Sequence, residues 1–298
     1  WKEPPRDWGL SAMFRDLNGD GLPDLYVCND FHSPDRIWLN KGKGQFQAAP
    51  STMLRKTSFA SMAVDFADIN RDGLDDIFVA EMLGVTRLRR QTQRDNAEGE
   101  AALSFGWGWR VGAITNVTQV MRNTLFLNLG DGTYTEMAQY SGVHASDWTW
   151  GAAFLDVDLD GYEDLLIANG HIRDHLHSDL QGRLALAGPP QHAAARASLF
   201  AQIPTLAVPK RAFRNRGDLT FEERGSSWGF DWTGISNGMA LADLDNDGDL
   251  DVILNNLNAG ALIMRNDTTA SRLAIRVRGR KPNTGGIGAK IRVTAYKL

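Results

Sequence analysis

Short apolar runs, each set off by a polar turn rich in Gly, Asp and Asn, recur along this chain where long amphipathic stretches would mark helices. LYV at 25–27, IFV at 77–79, LLI at 165–167 and VIL at 252–254 are β-branched or aromatic and too short for helices, so they predict buried strands. A further strand is predicted wherever a run closes on Asn: RIWLN at Asn40, TLFLN at Asn128, AFRN at Asn215 and LIMRN at Asn266. After the first three, KGKGQF, LGDGTY and RGDLTF place Gly or Asp where a hairpin needs positive φ, then return to an alternating aromatic strand. One more strand precedes each following polar loop, as in SMAVDF at 61–66, GAAFL at 151–155 and GMALA at 238–242.

The spacings show one unit copied. From each Asn to the next acidic loop is 28 residues three times: 40 to 68, 128 to 156 and 215 to 243. The loop-to-Asn interval is 24, 60, 59 and 23 residues, so the second and third units carry insertions, at about 82–120 and 170–211, between their second and third strands. Four short strands in a unit of about 52 residues fit a propeller blade. The predicted fold is all-β, with four-stranded antiparallel blades over residues 1–268. Parallel β-helix repeats are much shorter, and helical repeats need a periodicity that the core units lack.

Each unit opens on an acidic nonapeptide: DLNGDGLPD at 16–24, DINRDGLDD at 68–76, DVDLDGYED at 156–164 and DLDNDGDLD at 243–251. Positions one, three, five and nine carry side-chain oxygens, position six is Gly, and position seven can turn its carbonyl inward. The predicted side-chain ligands are Asp16, Asn18, Asp20 and Asp24; Asp68, Asn70, Asp72 and Asp76; Asp156, Asp158, Asp160 and Asp164; and Asp243, Asp245, Asp247 and Asp251. Carbonyls of Leu22, Leu74, Tyr162 and Asp249 complete the shells. Of the chain's 36 acidic residues, 14 stand at these ligand positions, and carboxylates so crowded repel or take up protons unless a cation joins them. Oxygen-only shells of flexible geometry point to calcium, about four ions per chain, rather than to magnesium with its stricter octahedron. An EF-hand needs Glu at position twelve, where Val27, Val79, Ile167 and Leu254 stand in predicted strands.

A hydrophobic content of 43% with 23% charged residues is that of an ordinary globular chain, and no apolar run reaches transmembrane length. Cys28 is the only cysteine, which excludes an internal disulfide and a cysteine-based zinc or iron site. The net charge of −4 conceals a basic stretch, 265–298, with nine Lys or Arg and one acid, Asp267. Basic charge alone is nonspecific, and this stretch reads as a solvated face, with no nucleic-acid partner expected. Nucleophile-elbow, P-loop, H-E-x-x-H and dinucleotide fingerprints are absent, and no catalytic residue is assigned. Loops of this kind fill at extracellular calcium levels, so an export signal is expected upstream of Trp1.

On these residues the chain resembles the FG-GAP/VCBS repeat family over roughly 8–266, whose integrin-α-type propellers carry D-x-D-x-D-G-x-x-D calcium loops. VCNDFHSPDRIWLN, SMAVDFADINRDGLDDIFVAEM, WTWGAAFLDVDLDGYEDLLIANGH and NGMALADLDNDGDLDVILNN resemble secreted bacterial repeat proteins related to cartilage acidic protein. RLAIRVRGRKPNTGGIGAKIRVTA at 272–295, with Asn283 and Gly288 in place, resembles the opening of an ASPIC/UnbV domain, and sets 269–298 apart as the start of a small β domain. The family builds about seven blades, so the resemblance implies a larger propeller, completed by an N-terminal half of the same protein or by a partner subunit. It also implies a secreted protein, extracellular or periplasmic, with a binding or adhesion role.

Other clusters admit plain readings. His171, His175 and His177 in NGHIRDHLHSD have spacings that could grip zinc or copper on a helix, and a polar loop explains them equally well. Trp107, Trp109, Trp148 and Trp150 could stack on sugars, but core packing between blades is the expectation. Arg87, Arg89, Arg90 and Arg94 read as a solvated loop or short helix. The leading expectation is a noncatalytic module, stiffened by calcium, that presents its insertions to a protein or glycan. The alternatives are a propeller-type carbohydrate lyase or dehydratase using His171, His175 and Arg173, and a structural subunit of a larger surface assembly.

Overall fold

A strand that alternates side chains between two faces can join two neighbours, and the second strand of the second unit, Asp76–Ala80, does so with every residue buried. Ile77 and Val79 pack one way, with Tyr26, Cys28 and Ile37 of the first unit, while Phe78 and Ala80 pack the other way, with Phe154, Leu165, Ile167 and Phe213 of the third. Between the third and fourth units, Leu166, Ala168 and Ala212 meet Phe230, Val252 and Leu254. The core is therefore a series of apolar layers between sheets.

The computed structural model describes residues 7–30, 33–93, 117–186, 193–271, 273, 275–289 and 291–294. Blade one is the antiparallel meander Trp8–Arg15, Asp24–Asp30, Arg36–Asn40 and Phe46–Ala48. Blade two is Ala63–Ala67, Asp76–Ala80, Thr124–Asn128 and Tyr134–Glu136. Blade three is Thr149–Leu155, Asp164–Asn169, Arg211–Asn215 and Phe221–Glu223. Blade four has three strands among the described residues, Ser236–Ala242, Asp251–Asn256 and Leu262–Met264. The fold is thus mostly β, with four antiparallel blades in a propeller arrangement.

Innermost strands pack blade one on two, two on three and three on four, and among the described residues no contact of comparable extent joins blade four to blade one. Among the described residues the arc is open, and its two end faces carry exposed apolar side chains: Phe14 is 59% exposed at one end, and Ile263 64% at the other.

Every acidic loop joins the first strand of its blade to the second, whereas both insertions leave from the far end of the second strand. The loops consequently lie on one face of the arc and the insertions on the other. The insertions contain helices Arg87–Thr92, Ser178–Leu186 and Ala193–Gln202. Of the solvated loop or short helix expected of the arginine run, the first is the helix, with Arg89 turned inward onto Asp147 and Asp174 rather than solvated; Arg94, Trp107 and Trp109 lie outside the described residues. Among the described residues of 271–294 no strand forms, and among those of the whole chain no helix is long and apolar enough to cross a membrane.

Candidate metal centres

Each acidic loop wraps its own backbone around its carboxylates. The sixth-position glycines, Gly21, Gly73, Gly161 and Gly248, have φ of 83°, 88°, 89° and 96°, a region L side chains rarely adopt. The first carboxylate of each loop gathers the amides that this turn directs inward: Asp16 takes Gly19 N at 2.8 Å and Gly21 N at 3.0 Å, and Asp68 takes Asp72 N at 3.0 Å and Gly73 N at 2.8 Å. Asp156 accepts from Gly161 N at 2.8 Å, and Asp243 from Asp247 N and Gly248 N, both at 3.2 Å. The fifth-position carboxylate caps the seventh-position amide, as with Asp160 and Tyr162 N at 2.9 Å. The first and fifth positions are thereby held by the loop's own amides before any ion is considered.

The ninth-position aspartates, Asp24, Asp76, Asp164 and Asp251, are buried at the loop's base. In each, one oxygen accepts the amide of the loop's second residue, at 2.9 to 3.1 Å, and the other accepts the amide of the Asn at or just past the end of the third strand, at 2.7 to 2.9 Å. That Asn completes a clasp. Its Oδ1 starts the following hairpin by accepting from Gly42, Gly130, Gly217 or Thr268 N. Its Nδ2 returns to the loop, as from Asn40 to Pro23 O at 2.9 Å, or reaches the preceding blade, as from Asn215 to Ile69 O and Asn266 to Val157 O, both 2.9 Å. The sequence marks these asparagines only by their spacing; their partners are backbone atoms brought near by the fold.

Electrostatics leave the loops in need of positive charge. Burial pushes Asp76 and Asp164 up to about 7 despite two amides apiece, with the other carboxylates of each loop pushing the same way. Asp156 is likewise raised by burial, then by Asp160 and Asp158. Ligand oxygens of Asp156, Asp158 and Asp164 lie within 4.8 Å of one another, as do those of Asp243, Asp245 and Asp247. Asp156 Oδ1 and Asp158 Oδ1 are buried and accept no hydrogen bond. Unpartnered carboxylate oxygens converging in an all-oxygen shell fit a hard divalent cation, which would supply the missing charge. In loops one and two the third position is Asn, and Asn18 and Asn70 donate to Asp20 Oδ2 at 3.0 Å and Asp72 Oδ2 at 2.9 Å.

The loops are also tied to one another. Arg15 forks onto Asp75 at 2.6 and 2.7 Å. Arg71 donates to Gly161 O at 2.5 Å and Asp160 O at 2.6 Å, with its guanidinium 3.7 Å from the Tyr162 ring centroid. A Cβ at Gly161 would lie 1.7 Å from that guanidinium, so a side chain there would displace Arg71.

The histidine cluster lies past the end of Asp164–Asn169, on the opposite face from the third loop. It is built on a loop, not a helix. A β-bulge between Thr149 and Gly151 leaves Trp150 unpaired and turns its indole toward Gly170 O, at 2.7 Å. His171 stacks on Trp148 with ring centroids 4.0 Å apart, its Nδ1 lies 2.6 Å from Arg173 O, and His175 is 5.1 Å away. Burial lowers both imidazoles. Arg173 donates to Ile203 O at 3.0 Å. Among the described residues, the three histidines are not gathered closely enough to hold one ion. Trp148 and Trp150 pack, half-buried, against Phe59, Met62 and Met82.

Fold and loops together define a propeller-type repeat protein with aspartate-glycine loops on one face. A family profile described as FG-GAP-like repeat matches residues 16–79 and 113–167, which include loops one, two and three, and the chain carries FG-GAP-like repeats there. No curated protein matches the chain. A solved structure of an Agrocybe aegerita lectin, described as specifically recognising non-reducing terminal N-acetylglucosamine, is similar at 16% identity over 88% of this chain and 81% of its own. Its TM-score of 0.22 carries no inference about this chain's fold or ligand.

Proposed function

We propose that this chain is a noncatalytic calcium-binding repeat module, working outside the cytosol in protein or glycan binding or adhesion. The observation that carries the calcium reading is loop three, where buried Asp156 Oδ1 and Asp158 Oδ1 lack any donor among converging carboxylates. Bound ions would join carboxylates that otherwise repel, and the ties from loop to loop would spread that stiffening across the face. The insertions on the other face would then be presented on a rigid base. Residues 269–298 are read as the start of an ASPIC/UnbV-type β domain, on their sequence pattern alone. The partner expected at the two uncovered end faces is further blades of the same kind. Leu17 O, Ile69 O and Val157 O each receive a donor from the next blade, Tyr134 Oη at 3.1 Å, Asn215 Nδ2 and Asn266 Nδ2, while among the described residues no further blade follows the equivalent Leu244 O.

Calorimetric titration of the chelator-stripped chain with calcium should find about four ions. Chelation should lower the melting temperature. Fewer than two bound ions would sink the calcium reading.

A further inference from the structure

The four repeats pair two positions that are distant in sequence. Where the third loop position is Asn, in loops one and two, the residue before the clasp asparagine is Leu39 or Leu127. Where it is Asp158 or Asp245, in loops three and four, that residue is Arg214 or Arg265. The geometry explains the pairing. In loops one and two an asparagine amide donates to the fifth-position Oδ2, and Asp158 has no such proton to give. Arg214 takes its place, with Nε 2.5 Å from Asp158 Oδ2 and Nη2 2.5 Å from Asp160 Oδ2. The extra carboxylate and the extra guanidinium cancel, which leaves the ligand positions of loop three with the same formal charge as those of loops one and two. Arg265 is placed differently: it lies 3.9 Å from Asp245 Oδ2 and is drawn off to Asp267 Oδ1, 2.5 Å away.

We propose that Arg214 is a built-in counter-cation of loop three, one that competes with calcium for Asp158 and Asp160 and makes this loop the late-filling member of the set. The proposal rests on the calcium reading above. A guanidinium forked across two carboxylates fills part of the negative potential that would draw in a divalent ion. In the ion-free chain the same contact relieves repulsion among Asp156, Asp158, Asp160 and Asp164. One residue therefore lends stability without calcium and lowers calcium affinity, two effects that an ordinary surface ion pair would not combine.

Three variants of the full chain test this by calcium calorimetry and by melting in chelator. Arg214→Leu copies the residue of blades one and two, so the strand should accept it. It should tighten the weakest class of calcium sites about tenfold, a modest factor because the pair is about one-third exposed and screened. It should also lower the calcium-free melting temperature. Arg214→Lys, which keeps a cation but loses the fork, should fall between the two. The double variant Asp158→Asn/Arg214→Leu reproduces the chemistry of loops one and two and should recover the calcium-free melting temperature. If wild type binds calcium and Arg214→Leu changes neither affinity nor calcium-free melting, this proposal is overturned and the calcium reading survives. If wild type binds no calcium, both are overturned.

Discussion

Asp35 is a buried carboxylate outside the loops, and among the described residues no cation offsets its burial. It accepts Tyr26 Oη at 2.7 Å, Asn29 N at 2.9 Å and Ser61 Oγ, from blade two, at 2.9 Å, yet burial outweighs these donors and pushes it up to about 7. The folded chain thus holds this proton more tightly than the unfolded chain, where the ordinary value is 3.8. Its stabilising contribution is present at low pH and is lost as pH rises through about 7. Asp35→Asn keeps the donor from Asn29, lets the two hydroxyls reverse, and removes the charge. Its melting temperature should match wild type below about pH 4, begin to exceed it as pH rises past 3.8, and exceed it most near pH 8, by at most about 4 kcal/mol in stability. A variant less stable than wild type at pH 8 would contradict this. Nothing in the local sequence announces Asp35, and still less Lys210, which reads as a surface lysine. It is fully buried among Asn169 O at 2.6 Å, Asn169 Oδ1 and Gly234 O at 2.9 Å and Val208 O at 3.2 Å. Burial lowers it to about 7, while four oxygen acceptors favour the cation.

Strands and loops are legible from sequence because their signals are local: period-two burial, Asp-Gly turns and a fixed interval between Asn and loop. What those signals could not give is the clasp, since Asn215 and Asp164 are 51 residues apart and meet only when the second and third strands pair. Arg214 was hidden in the same way, although the aligned repeats held the clue in the pairing of Asn with Leu and Asp with Arg. The clasp predicts unequal costs for one substitution. Asn215 is fully buried, and its Nδ2 reaches Ile69 O of blade two as well as Glu163 O, at 3.2 Å. Asn40 is half-buried, and its Nδ2 returns to Pro23 O within its own blade. Asn215→Ala should cost about 2–3 kcal/mol, because it leaves buried groups unpaired and cuts a tie between blades, and Asn40→Ala about 1 kcal/mol. Urea denaturation midpoints compare them directly, and equal losses would show that the tie between blades is energetically idle.

At the scale of the whole molecule, the propeller arrangement follows from the repeat, whereas the open arc shows itself only in what covers each blade. Interior blades bury both faces of their second strand, but blades one and four have one neighbour each. At one end Phe14 stays exposed, and at the other Ile263. The strand Leu262–Met264 pairs on one side only, because blade four has no fourth strand among the described residues. Exposed apolar faces beside an unpaired strand edge are templates for association. The chain alone should therefore self-associate as its concentration rises, with light scattering giving a mass above 32.9 kDa. Phe14→Glu combined with Ile263→Glu should return it to a monomer. Because these side chains are 59% and 64% exposed, the double variant should melt as cooperatively as wild type, which separates loss of association from loss of fold. A wild-type chain that stays monomeric throughout the concentration range would show that the end faces do not seek a partner, and the proposal of further blades covering them would fall with that result.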